Sequence, residues 1–255
     1  MKKNILIILL FASTISLFSS CDKEVNLVNS VSTTEGMAFI KFVHASPNFR
    51  QVYKGRDSFN VYVNNVKING GFLTYNAIFP TATNLYTAVP AGAQSIRITV
   101  NGVLTPDSIT LASLNKTLEP GGYYSLILTD EGLSANESRQ MWLKDNVQLV
   151  DTTKFSLRFV NAVLNDPTGV DVYSTRQGSN IFTNIKPGTA TEFSVLPYTL
   201  AADTLIVRTT GTTTDIVKIN GVVFNRTRPY TMLYRGQFGI TTGTKIRGVT
   251  IYANN

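Results

Sequence analysis

Two stretches decide the fold: Ala38-Phe39-Ile40-Lys41-Phe42-Val43-His44-Ala45 and Phe155-Ser156-Leu157-Arg158-Phe159-Val160-Asn161-Ala162. Aligned, both read apolar-x-apolar-basic-Phe-Val-polar-Ala. The correspondence continues along the chain. Phe59-Asn60-Val61-Tyr62-Val63 stands beside Val170-Asp171-Val172-Tyr173, and Val89-Pro90-Ala91-Gly92 beside Leu196-Pro197-Tyr198. Ser95 to Val100 matches Thr204 to Thr209, and Tyr123 to Leu128 matches Tyr230 to Tyr234. Each copy then closes on one more apolar stretch, Gln140–Leu143 and Gly248–Tyr252. Such ordered self-similarity marks a duplicated structural unit.

Within each copy the segments alternate with period two, which sets apolar side chains on one face of a strand. Turn signals separate them: Asn69-Gly70-Gly71, Asn101-Gly102, Pro120-Gly121-Gly122, Pro187-Gly188 and Asn220-Gly221. No segment has the spacing of an amphipathic helix. Many short strands in units of this size predict an all-β chain of two tandem immunoglobulin-like β-sandwich domains. The first is expected over residues 37–146 and the second over 147–255.

Composition agrees with a folded, strand-rich chain. Of the 255 residues 43% are hydrophobic and only 15% charged. The single cysteine excludes an internal disulfide, so core burial alone must hold the units together. One His and one Cys exclude a zinc site built from those ligands, and no metal or cofactor is expected. Net charge is +7, but Lys2 and Lys3 lie in the leader described below; without them 21 basic residues face 16 acidic ones. The bases are scattered, with no stripe or motif of a nucleic-acid binder.

The amino terminus carries an address. Met1-Lys2-Lys3-Asn4 is positive, Ile5 to Phe11 is uninterruptedly apolar, and Leu17-Phe18-Ser19-Ser20 precedes Cys21. This reads as a signal peptide over residues 1–20, with small residues before the cleavage site. The site resembles a bacterial lipobox, which implies acylation of Cys21 and attachment to a membrane through it. Residues 21–36 are polar and Ser/Thr-rich, a lipidated flexible tether. Asp22-Lys23-Glu24 resembles the export signal of surface lipoproteins of Bacteroidota. The implied place is the cell envelope: anchored to the outer membrane and exposed at the surface.

Ile40-Lys41-Phe42-Val43-His44-Ala45-Ser46-Pro47, Phe59 to Asn64 and Pro90-Ala91-Gly92 resemble the family called domain of unknown function 4397. The resemblance covers most of residues 37–255 and implies tandem immunoglobulin-like sandwiches in a secreted bacterial protein. It implies no settled activity. In the second copy Asn161-Ala162-Val163-Leu164 replaces the His-Ala-Ser-Pro element, so a site built on that element would belong to the first copy alone.

Candidate chemistry is sparse. His44 has Ser46 nearby but no third member of a triad, and it reads as a turn residue ending the first strand. No acid pair suggests glycoside hydrolysis, so no enzyme activity is expected. Trp142, near the boundary, is expected to pack between the two domains; the competing role for it, as for His44, is ligand contact. Asp107-Ser108-Ile109, Asp151-Thr152-Thr153 and Asp203-Thr204-Leu205 resemble O-glycosylation sites of Bacteroidota envelope proteins, which makes Ser108, Thr152 and Thr204 candidate acceptors. The reading is a non-catalytic interaction or structural module on the cell envelope, its partner an envelope protein. The alternative is an accessory glycan-binding lipoprotein.

Overall fold

β1 (Met37–His44) and β11 (Lys154–Asn161), formed by the two repeated stretches, are interior strands of their sheets. The computed structural model describes residues 35–52, 57–81, 85–100, 110–129, 140–148 and 150–254. The leader, residues 21–34 of the tether including Cys21, and Ser108 lie outside them.

The first copy supplies β1, the four-residue helix α1 (Phe49–Val52), β2 (Ser58–Val63), β3 (Val66–Lys67), β4 (Leu73–Thr74) and β5 (Ile78–Phe79). It continues with β6 (Thr87–Pro90), β7 (Gly92–Val100), β8 (Thr110–Leu118), β9 (Tyr123–Leu128) and β10 (Met141–Lys144). The second supplies β11, β12 (Val170–Ser174), β13 (Ser179–Ile185), β14 (Thr189–Ala190), β15 (Ser194–Pro197) and β16 (Asp203–Thr209). It ends with β17 (Asp215–Val222), β18 (Pro229–Arg235) and β19 (Gly248–Ala253). The described residues are thus all-β apart from α1.

Each half contains two open sheets with the same order. In the first half these are β10-β9-β1-β5, with β6 also on β1, and β3-β2-β7-β8, with β4 also on β2. In the second they are β19-β18-β11-β14, with β15 also on β11, and β13-β12-β16-β17; the paths are here read from the edge that matches the first half. In both halves the opening strand pairs in parallel with the penultimate one, β1 with β9 and β11 with β18.

Alternation along β1 explains the layers. Ala38, Ile40 and Phe42 face Val61, Ile96, Ile98 and Leu114 from the other sheet of their half. On β11, Phe155, Leu157 and Phe159 do the same against Val170, Val172 and Val207. A half-buried strand would turn its remaining side chains to water. Here they are buried as well. Val43 and Ala45 of one half meet Val160 and Ala162 of the other, with Ile127, Met141, Leu233 and Tyr252 completing a third core. The two sheets that carry β1 and β11 therefore pack on each other, and residues 34–255 form one compact unit.

Candidate functional site: the seam between the halves

The seam is built from equivalent residues of the two copies. Register shows which they are. Phe42 faces Leu126 and Phe159 faces Met232 across the parallel pairs. Lys144 faces Tyr124 and Ala253 faces Tyr230 on the closing strands. Ser125 thus corresponds to Thr231, and Asp145 to Asn254. Ile40 faces Thr87 and Leu157 faces Ser194, so Tyr86 corresponds to Phe193.

Lys41 and Arg158, the basic residues of the repeated motif, point into this seam and are 0% and 2% exposed. The Lys41 ammonium lies 4.5 Å from the Tyr86 ring centre, and the Arg158 guanidinium 4.8 Å from that of Phe193. Ser125 donates to the Asp145 carboxylate at 2.6 Å; its counterpart Thr231 donates to the Asn254 amide oxygen at 2.7 Å. Several contacts then cross between halves. Arg158 forms an ion pair with Asp145 at 2.6 Å, and Lys41 donates to the Ala253 carbonyl at 2.9 Å. Arg158 Nε also donates to Thr231 Oγ1 at 2.9 Å. Tyr86 donates to Asp145 at 2.7 Å and accepts from the Asn254 amide at 2.9 Å.

The seam is approximately two-fold within a single chain, like the self-complementary interface of a homodimer. One exchange unbalances the charge: the second half has an amide, Asn254, where the first has the carboxylate Asp145. Two buried cations share one buried anion. Burial lowers the Lys41 pKa from 10.5 to about 8, opposed by the attraction of Asp145 and reinforced by the repulsion of Arg158. Burial and the neighbouring Asp145 push the Tyr86 phenol well above its usual value. The repeat pattern by itself assigns the basic position no role. Its recurrence inside two otherwise apolar stretches was the signal that could have marked it as buried.

The two rims of the seam differ. At one, Tyr86 bridges Asp145 and Asn254. At the other, Phe193 lacks the hydroxyl, and a cleft of about 880 Å³ opens between β10 and the β14–β15 connection. Tyr123, Trp142, Gln148, Arg158, Glu192 and Phe193 are among its lining residues.

Trp142 does not pack between the halves as its position near the boundary suggested. Side chains alternate on β10, so Met141 and Leu143 face the second half. Trp142 packs against the core of the first half, stacked on Tyr124 with ring centres 5.3 Å apart, and borders the cleft half-buried. His44 is 0% exposed among Phe49, Phe59 and Tyr75, which corrects its candidacy for ligand contact. Its Nδ1 accepts the Ser46 N–H at 3.3 Å, and burial drops its pKa from 6.5 to about 3. A ring held neutral and sealed from solvent offers no base to a substrate.

The acceptor candidates separate too. Thr152 sits on an exposed turn before β11, whereas Thr204 lies in β16, a central strand, with its hydroxyl bonded to Asn220 at 3.3 Å. Among the described residues no group of three His, Cys, Asp or Glu side chains could hold a metal ion.

The family described as Domain of unknown function (DUF4397) matches residues 38–173, more than half of the sequence. The chain belongs to the DUF4397 family. The match begins in β1 and runs through β12, so it includes both basic residues of the seam. No curated protein matches this DUF4397 chain. Among solved structures it is similar to the Bacillus anthracis TIE protein, at 10% identity and a TM-score of 0.23, over 78% of this chain and 34% of that one. The chain therefore spans about a third of that protein's length. It is also similar to CBMbc, a family CBM26 module of Eubacterium rectale Amy13K solved with maltoheptaose, at 12% identity and a TM-score of 0.24, over 85% and 96% of the two chains.

Proposed function

We propose that this DUF4397 protein is a non-catalytic interaction module of the bacterial cell envelope. In this reading two immunoglobulin-like sandwiches are fixed as one body and held at the outer-membrane surface by acylated Cys21. The observation that carries it is the seam. Arg158–Asp145 and Lys41–Ala253 cross it inside a sheet-on-sheet core, so the halves present their loops and edges in a set orientation. A rigid presenting surface lowers the ordering cost of binding another protein. His44, the one histidine, is spent on packing.

Two measurements test this reading. Whole cells should lose surface-exposed, membrane-bound protein when Cys21→Ser is introduced, and the halves should unfold in a single transition. Unchanged membrane retention of the variant refutes the anchor, and two separate transitions refute the fixed body. Thr152 is the acceptor of choice for O-glycosylation; a tryptic peptide spanning Asp151–Thr153 without added hexose rejects it.

A second reading, an accessory glycan-binding lipoprotein, is favoured by one observation: aromatic and polar side chains line the open rim together.

A further inference from the structure

We propose that the cleft at the open rim of the seam binds an uncharged oligosaccharide; this rests on the glycan-binding reading above. The molecule contains its own control for that cleft. The two rims are equivalent by register, yet at one a phenol hydroxyl bridges the seam and at the other a cleft is present. At the bridged rim the Tyr86 oxygen reaches both Asp145 and Asn254, at 2.7 and 2.9 Å. At the open rim Phe193 occupies the Tyr86 position and leaves about 880 Å³ of space, within the range of sites that hold small organic ligands.

The lining determines the ligand class. Each of its cations already has an anionic partner. Lys144 pairs with Glu119 at 2.5 Å and Arg158 with Asp145 at 2.6 Å. An anionic ligand would have to break one of these pairs. Glu192 and Gln148 are exposed on the rim and offer carboxylate and amide groups of the kind that accept from and donate to hydroxyls. Tyr123, Trp142 and Phe193 are each half-buried and each held by a neighbour: Tyr123 stacks on Phe39 at 4.6 Å, Trp142 on Tyr124, and Phe193 lies under Arg158. Pre-positioned aromatic surface beside hydrogen-bonding groups suits a ring with one apolar face and many hydroxyls.

An added polypeptide strand fits less well. β10 is a sheet edge, and its pairing leaves the backbone groups of Trp142 and Lys144 directed away from β9. The next residue, Asp145, donates its N–H to the Tyr123 carbonyl, and the Asn146 side chain accepts the Gln148 N–H. The exposed edge ends after two residues' worth of outward groups.

Trp142 is the single tryptophan of the chain and borders the cleft, so its emission reports on the cleft alone. The experiment titrates the full chain in detergent with cellulose-, xylan-, mannan- and starch-derived oligosaccharides and follows that emission. A glycan array with the same protein runs in parallel. One saccharide class is expected to shift the emission in a saturating manner. Glu192→Ala combined with Gln148→Ala is expected to weaken that binding about tenfold with no change in melting temperature, since neither side chain supports the fold. Binding on the array with no emission shift, or with unaltered affinity in the double variant, overturns the cleft as the site and leaves the glycan reading standing. No binding to any saccharide overturns both.

Discussion

Replacing Asp145 by Asn strikes the centre of the seam with almost no change of shape. The carboxylate is buried, its side chain 0% exposed against 3% for Arg158, so solvent screens the pair very little. The variant leaves Arg158 and Lys41 buried with no anion between them. Removing one partner of a buried ion pair costs about 3–5 kcal/mol. For a unit of this size each kcal/mol lowers the melting temperature by about 2–4 °C, so a fall of about 6–20 °C is expected at neutral pH. The two-fold arrangement supplies a rescue. Asn254 is the counterpart of Asp145, held by Thr231 at 2.7 Å, and follows Ala253, whose carbonyl accepts from Lys41. Asn254→Asp in the Asp145→Asn background restores one buried anion among the same cations and should recover at least half of the loss. Urea and thermal unfolding followed by circular dichroism measure both. A loss below about 1 kcal/mol, or a double variant no more stable than the single one, refutes the reasoning that charge balance holds the seam.

Three further outcomes follow from the same side chains. Lys41 binds a proton less readily in the folded protein (pKa about 8) than in the unfolded chain (10.5). Stability should therefore rise from pH 8 toward pH 10, by about 3 kcal/mol in full, until the buried tyrosines, with Tyr234 and Tyr252 pushed up to about 12, oppose it; Lys41→Met should flatten the rise, and an unaltered slope in that variant counts against it. His44, lowered from 6.5 to about 3, contributes stability that is complete above pH 6.5 and lost as pH falls through 3. Acid unfolding should start below pH 6.5, and His44→Phe should shift it to lower pH; coincident acid transitions for the two proteins exclude His44 as the cause. Trp142→Ala should cost about 2 kcal/mol, less than for a fully buried tryptophan, because the ring is half-buried on Tyr124; an unchanged melting temperature contradicts that packing.

Much of the strand content was legible in advance because alternation is a local property. The pairs Ala38–Ala45 with Phe155–Ala162 and Phe59–Val63 with Val170–Tyr173 mark β1, β11, β2 and β12 close to their observed bounds. The expected turns at Pro120-Gly121 and Pro187-Gly188 are observed, and both glycines have positive φ, a conformation that glycine adopts at least cost; Asn220-Gly221, expected as a turn, instead lies within β17 at a register shift against β16. The surroundings of His44, Trp142 and Thr204 were not legible from residue type and position. Each is decided by what lies across from it: three aromatic rings, Tyr124, and the neighbouring strand of a central sheet.

The amino-acid sequence by itself determined that this DUF4397 chain is all-β, duplicated, and built from strands that alternate. Those features depend on the spacing of neighbours along the chain. That Lys41 and Arg158 are buried was decided only by the tertiary structure. A period-two pattern states which side chains share a face, and it is silent on whether that face meets water or another sheet. The charge balance at Asp145, the bridged rim at Tyr86 and the open one at Phe193 depend on contacts between residues far apart in sequence. Lys41 and the carbonyl it binds are 212 positions apart, and only packing the two sheets face to face brings them together.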